Sequence, residues 1–452
     1  MFTGLKNQLE LSDSLIENIL PQNNELVKLK KILNWKDIDK VYKSCFNSKI
    51  GNKTKTTDIA LGLILLKHLY KKSDRALVNE LHLNNSYMHF CSLSYDEVAS
   101  ANRLGVKLID HSTLVKIRKR LGPDKIQNIL SLFTEELISK KIIDGRYLFT
   151  DTTSLEKNIA YPTDVSLLSR VIKEADYVIQ NVIRKKDTVL SSAVKKAKTL
   201  SKIYYSSSKK TKDLLDRTSK ALVSIAKKQL HFAGVAASHM SQSMSSTTHK
   251  RYEKLKDTGR KIIRQTQKRL KDLKVSDRIV SYHEPHARAL PKGKIGKPCE
   301  FGAKLSLSLS SNGYITDYKL YSENICDINT LKDAVANHAK VFGKDFTGAS
   351  ADRAYYNADL NITLEKKYKI ALAIPHKKRR LKMDEQKEEL YRKRSAIEAK
   401  ISEAKRTCGL DRSYYRGFEG DRMWAALCLM VLNIRKLLRD MVKSPELILK
   451  FM

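Results

Sequence analysis

Over the first 140 residues or so, the alternation of apolar and polar positions reads as helix throughout. The stretch TTDIALGLILLKHLYKKSDRALVNEL predicts two helices, the second opening with Ser73 or Asp74 as its N-cap. DHSTLVKIRKRLG predicts another, capped by Asp110 or Ser112 and stopped by Gly122. On it Leu114, Ile117 and Leu121 share an apolar face, leaving Lys116, Arg118, Lys119 and Arg120 largely outside. That outer face is either solvated or set against phosphates.

The pattern then changes. RYLFTDTTS is a short apolar strand ending on Asp151. AKLSLSLSSNGYITDYKLYS alternates Leu and Ser with period two, turns at Asn312-Gly313 and continues as a second strand. In FTGASADRAYYN, Asp352 follows a run of small residues, and LEKKYKIALAIPHKK predicts a helix end and a strand over Lys369–Ile374. Strands interleaved with helices predict an α/β fold built on a mixed sheet.

A long charged helix follows, containing YRKRSAIEAKISEAK. At about 100° per residue, Tyr391, Arg394, Glu398 and Lys405 fall within an arc of roughly 60°. Leu390, Ile397, Ile401 and Ala404 form an apolar stripe beside them. The helix thus buries one flank and presents a carboxylate between two cations and an aromatic ring on the next. Arg394 and Glu398 have the spacing of an ordinary helix ion pair, so this face alone does not define a site.

Charge changes the picture. The chain has 452 residues, with 86 Lys or Arg against 49 Asp or Glu, for a net charge of +37. Such an excess favours phosphate-rich partners. The longest apolar runs, IALGLILL and MWAALCLMVL, are too short to span a bilayer, which argues against a membrane partner. The first twenty residues carry no basic segment followed by an apolar core, so no signal peptide is expected. Six scattered cysteines without a C-x-x-C pair argue against a zinc site or a disulfide framework and fit a reducing cytosol. Between residues 181 and 280, 26 residues are Lys or Arg and only 7 are Asp or Glu. Apolar residues recur there at helical spacing, and AGVAASHMSQSMSSTTHK resembles a turn between two long helices. This segment reads as a basic helical insertion, a DNA-clamping arm in preference to a merely solvated hairpin.

Three acids then stand out: Asp151 at a strand end, Asp352 after another strand, and Glu398 on the long helix. Phosphodiester chemistry at neutral pH is served by two divalent metals about 4 Å apart, held by converging carboxylates. Two strand-borne aspartates and a helix-borne glutamate supply such ligands if the strands are neighbours, and that adjacency is not written in the sequence. Arg394 and Lys405 would clamp the flanking phosphates, and Tyr391 would stack on a base or bond a phosphate.

Tyr391, Arg394, Glu398 and Lys405 match the pattern Y-x2-R-x3-E-x6-K in full. This resembles the signature of DDE transposases of bacterial insertion sequences, of the families numbered four and five. FTDTTSLEKNIAYPTD resembles the segment of the first catalytic aspartate, which maps to Asp151. ADRAYYN resembles the D-R-G-Y segment of the second, which maps to Asp352, with Ala354 in place of the usual Gly. The N-terminal helices, the block HEPHARALPKGKIGKPCEFGAKLSLSLS and the closing GLDRSYYRGFEGDRMWAALCLMVLNIRKL resemble the rest of the family pattern.

The resemblance implies a ribonuclease H-like catalytic domain with Asp151, Asp352 and Glu398 as ligands of two Mg²⁺ ions, for which Mn²⁺ would substitute. It further implies a homodimer that synapses transposon-end DNA and joins it to target DNA. DNA contacts are expected from Tyr391, Arg394 and Lys405 on the face of Glu398, and from Arg118, Lys119 and Arg120 on the basic face of their helix. Localisation would be cytoplasmic, at the bacterial nucleoid. The expected domains are a helical DNA-binding and dimerisation domain over 1–140, the first catalytic part over 141–180, the basic insertion over 181–280, and the remaining catalytic part with closing helices over 281–452. Some relatives carry an insertion between the second Asp and the Glu; here the extra length lies between Asp151 and Asp352. A metal-dependent nuclease that does not join strands and an inactive DNA-binding derivative are the rival readings. Asp164 reads as a helix cap, His283 and His286 as a polar loop, Arg353 and Tyr355 as supports of Asp352, and Trp424 as core.

Overall fold

A computed structural model of the chain describes residues 16, 18–46, 54–183, 191–239, 244–294, 297–377 and 383–451. It divides into two compact units: residues 1–156, 304–321 and 325–452, and residues 157–303 with 322–324.

In the first unit, helices α1 (Glu25–Ile32), α2 (Trp35–Lys43), α3 (Thr57–Leu69), α4 (Asp74–Glu80), α5 (Asn85–Phe90), α6 (Tyr95–Arg103) and α7 (His111–Ser139) precede strand β1 (Tyr147–Lys157). Ser73 caps α4 by accepting from the Ala76 amide, and Asp110 caps α7 by accepting from the Ser112 amide. Gly122, with φ +68°, breaks α7 into two helical runs, and Pro123 opens the second.

The second unit is helical and has its own core. It contains α8 (Asp164–Ile183), α9 (Ser192–Ser206), α10 (Lys212–His239), α11 (Ser246–Lys254), a π-turn over Leu255–Gly259, α12 (Arg260–Arg269) and strand β2 (Arg288–Lys294). Val171, Ile172, Leu222, Ala226, Leu255 and Ile262 are fully buried within it. Two ion clusters on buried carboxylates fasten it: Asp164 takes both Arg269 and Arg278, and Glu174 takes Arg170 and Arg251. Asp164 is therefore not the expected cap: Thr163 caps α8 by accepting from the Ser166 amide, and Asp164, the first residue of the helix, is a structural charge anchor. The unit begins at Lys157, ahead of the 181–280 bounds that composition suggested, because α8 shares this core. Helix runs further into the expected central turn on both sides, and residues 240–243 lie outside the described residues.

Strand β3 (Lys297–Ser310) leaves the second unit and enters the first, followed by β4 (Ile315–Tyr321), α13 (Asp327–Phe342), β5 (Gly348–Ser350), α14 (Ala358–Tyr368), β6 (Ala371–Ala373), α15 (Glu385–Lys393), α16 (Ser395–Cys408), β7 (Arg412–Ser413) and α17 (Gly417–Lys443). In this unit β4 pairs antiparallel with β3, β3 neighbours β1, and β5 and β6 continue the sheet in parallel. The predicted Asn312-Gly313 turn is present, with Gly313 at φ +86°. The Asn312 side chain accepts from the Asp144 amide and donates to the Ile142 carbonyl, tying the turn to the entry of β1.

Both faces of this sheet are covered. Phe149, Leu305, Leu307 and Leu309 join a core with α3, α7 and α17, while Leu148, Ala349 and Leu372 join another with Leu331, Val335 and Leu364. The alternating serines of β3, Ser306, Ser308 and Ser310, are buried too. The N-terminal helices and α17 share the first core, so residues 1–140 form no separate body. Trp424 is core, as expected, its indole N–H donating to the Gly409 carbonyl at 2.8 Å. No described helix is long and apolar enough to cross a membrane.

Candidate active site

Asp151 sits in mid-strand. β1 runs six residues beyond it to Lys157 instead of ending there, because β7 pairs with the far part of the strand. What ends near Asp151 is the partner strand. The parallel register of β1 and β5 is Tyr147 with Gly348, Leu148 with Ala349 and Phe149 with Ser350. Carried two residues further, that register brings Asp151 on β1 level with Asp352, which lies just past the end of β5, on strand paths about 4.8 Å apart. Each carboxylate accepts the amide of the next residue, Thr152 or Arg353, at 2.7 Å.

The single helix expected around Tyr391–Lys405 is two helices joined at Arg394. There the bonding tightens, with the Arg394 amide reaching Tyr391 and the Ile397 amide reaching Arg394, three residues apart. α15 is seated by Leu390 against Gly348 of β5, where even a Cβ would come within 2.8 Å of the leucine side chain. α16 is seated by buried Ile397, Ala404 and Cys408. Glu398 lies in its first turn, where a carboxylate also meets the favourable end of the helix dipole.

Arg394 is the hub. Its side chain is only 13% exposed and donates to Glu398 at 2.6 Å, while the Glu398 side chain is 57% exposed. The guanidinium lies 5.4 Å from the Tyr391 ring centroid. Burial works against its charge, but Glu398, Tyr391 and Asp352 more than offset this and raise its pKa. Asp151 is pushed up to about 6, chiefly by burial and further by Asp352 and Glu398, against the pull of the Thr152 amide and Arg394. All three acids therefore share one electrostatic neighbourhood with Arg394 at its centre.

An all-oxygen donor set with this much mutual repulsion suits a hard divalent cation. Among the described residues, however, no three Asp, Glu, His or Cys side chains are gathered closely enough to hold an ion. Glu398 is turned towards Arg394.

Sequence reasoning passed over Asp327, at the start of α13. Its carboxylate accepts from the Thr152 hydroxyl at 2.7 Å and pairs with Lys304 at 2.7 Å. It thereby fixes the residue that follows Asp151. Only its place in the first turn of a helix marks it in the sequence. Tyr355 is 1% exposed beneath this network, and Arg353 is exposed.

Arg118 is a correction. It is 6% exposed, forks onto Asp74, and stacks 4.8 Å from the Tyr415 ring, so it is not available to DNA. Lys119 and Arg120 are exposed, Arg120 lying over the Phe46 ring at 4.9 Å. Tyr391 is half-buried against the core, and Lys405 is half-buried in the last turn of α16.

Residues 14–120 match the family described as Transposase domain (DUF772), and residues 277–434 match the family described as Transposase DDE domain. The matches indicate a transposase. The DDE match spans Asp352 and Glu398, while Asp151 lies outside both matched stretches. The chain is also 26% identical over 161 residues to the uncharacterized protein ORF8 in the nfe locus of Rhizobium meliloti, a stretch covering 35% of this chain and 74% of that protein. No solved structure gives a significant match.

The Asp151 shift carries a prediction of its own. A raised carboxylate pKa means the folded state favours the protonated form. That contribution is present below the ordinary aspartate range and is lost as pH rises through about 6. Above pH 6 the ionised group costs up to about 3 kcal/mol. With a chelator present, Asp151→Asn is expected to raise the melting temperature relative to wild type at pH 8 and to lose that advantage at pH 4. Equal differences at both pH values would separate Asp151 from the charged neighbourhood.

Proposed function

We propose that this chain is a DDE transposase of bacterial insertion sequences, with a ribonuclease H-like catalytic sheet and Asp151, Asp352 and Glu398 as its catalytic acids. The observation carrying the proposal is the β1–β5 register, which levels Asp151 with Asp352 while Arg394 couples both to Glu398. The sheet order supports it: an antiparallel hairpin, β3–β4, on one side of β1 and two parallel strands, β5 and β6, on the other.

The three acids would hold divalent ions, two Mg²⁺ or Mn²⁺. When bound, such ions activate the attacking oxygen and steady the leaving one. The chain's own part is positional. Asp327 and Lys304 hold Thr152, and with it the strand carrying Asp151. Arg394 neutralises Glu398 before DNA enters, and with Lys405 and Tyr391 it presents donors and a ring to the phosphates flanking the reacting one. Lys119 and Arg120 add phosphate contacts further off. Water attacks the phosphodiester at the element's end, its oxygen bonding to phosphorus as the 3′ oxygen leaves. The freed 3′-hydroxyl then displaces a target-strand oxygen in the same manner. Two copies would synapse the two ends, and the work would be done on DNA in the cytoplasm.

The test uses purified protein, DNA bearing the element's own terminal repeats, a supercoiled target, and Mg²⁺ or Ca²⁺. Cleaved and joined products with Mg²⁺, absent for Glu398→Gln, are expected. Cleavage without joining would replace the proposal with a nuclease, and binding without either product would replace it with a DNA-binding derivative.

A further inference from the structure

The second unit has a groove of about 670 Å³ between α10 on one side and α11, the π-turn and α12 on the other. Lys227, Lys256, Arg260 and Arg264 line it. Lys227, Arg260 and Arg264 are exposed and have no acidic partner among the described residues; Lys256 pairs with Glu253 at 3.3 Å. Among the described residues, no acid lines the groove, and several of the unit's acids are engaged outside it: Asp164, Glu174 and Asp216 with arginines, Asp213 with Arg217 and Asp272 with Lys212. The groove therefore holds uncompensated positive charge in a concave surface.

Its shape also matters. Lys256, Arg260 and Arg264 recur every four residues along one line, covering about 12 Å at 1.5 Å per residue. Over that length a DNA duplex carries about seven phosphates, at one per 1.7 Å of axis. Gly234 faces the groove without a side chain, its missing Cβ position 3.6 Å from the Tyr252 hydroxyl, which leaves the cleft open. Base edges are read by a convex element, a helix or ribbon that enters the DNA groove. A cleft cannot enter, and it receives the backbone instead.

We propose that this groove is a sequence-neutral clamp for the phosphate backbone of duplex DNA. It deepens the transposase reading by giving the insertion a substrate contact distinct from the catalytic acids, and it needs no cleavage to be tested. The experiment measures binding of the full chain to two duplexes, one with the element's terminal repeat and one unrelated, across a salt series with chelator present.

Replacing Lys227, Arg260 and Arg264 together with Gln should weaken both duplexes alike, by roughly ten- to a hundredfold, and reduce the slope of log K against log salt by about 3. Each single replacement should reduce it by about 1, and each variant's melt is compared with wild type. Arg260→Lys with Arg264→Lys keeps the charges and should keep the slope. The matched control is Lys195, Lys198 and Lys202 to Gln, three exposed cations on α9 outside the groove. An unchanged slope in the groove variants, an equal fall in the α9 control, or a loss confined to terminal-repeat DNA would each overturn the clamp. If the slopes behave as stated but the wild-type chain never cleaves, the transposase reading falls and the clamp stands.

Discussion

Asp352→Asn is expected to abolish cleavage and joining while leaving DNA affinity within about threefold of wild type. The substitution keeps the size of the side chain and its acceptance of the Arg353 amide, so the turn after β5 stays capped. What it removes is one negative charge beside Asp151. Loss of a group that acts within a catalytic unit costs a factor of about 10³ or more, and such losses do not add. The double variant Asp352→Asn with Glu398→Gln should therefore be no slower than either single one at the detection limit. A second readout is independent of catalysis: Mg²⁺ should raise the melting temperature of wild type and not of Asp352→Asn. Retained cleavage would remove Asp352 from the site. Identical stabilisation of both proteins by Mg²⁺ would remove it from the ligands.

Asp74→Ala should be the most damaging change to stability, at about 3–5 kcal/mol. Asp74 holds two half-buried or buried cations, Arg118 through a forked pair and Lys67 at 3.1 Å. Burial alone would raise its carboxyl, and the two cations more than offset this, leaving its pKa lowered. Its contribution is therefore complete at neutral pH and fades as pH falls through that depressed value. Removing the acid strands both cations, one of them 7% exposed beneath the Tyr415 ring. Urea unfolding at pH 7 measures the loss. Arg118→Met on the Asp74→Ala background should recover part of it, since a neutral, well-packed pair replaces a broken ionic one. A loss below about 1 kcal/mol would place Arg118 in contact with water and reopen it as a phosphate ligand.

Arg118 also shows what the sequence conceals. On the wheel of its own helix it borders the face of Leu114, Ile117 and Leu121 and adjoins the exposed Lys119 and Arg120. An edge position of that kind fits solvent as well as core, and nothing local decides between them. Its partner is on α4, brought there by the packing of the helices, so the burial of Arg118 is a tertiary fact. Local signals fared better. The Ser73 and Asp110 caps, the Gly122 break and the Asn312-Gly313 turn each follow from a residue's own backbone preference and were readable in place.

The candidate site divides in the same way. Asp151, Asp352 and Glu398 could be picked out by order and spacing, but the pairing of β1 with β5 depends on chain segments far apart and had no local trace. The break at Arg394 escaped the helical wheel, because a wheel assumes one continuous turn angle. Asp327 escaped because an acid opening a helix looks like an ordinary cap.

The level pairing of Asp151 with Asp352 has one more consequence. It is held by the backbone register of β1 and β5, not by the length of the intervening chain, so a whole helical unit can lie between the two strands without disturbing it. A strand can slip only in whole residues, and a slip of one turns the side chain to the opposite face. Over generations, segments can be gained or lost in the helical unit between the two strands without moving the two carboxylates off level. Deleting a single residue between Tyr147 and Asp151 would end it. Heritable change in this protein should accordingly be abundant in the inserted unit and close to forbidden in one short stretch of a single strand.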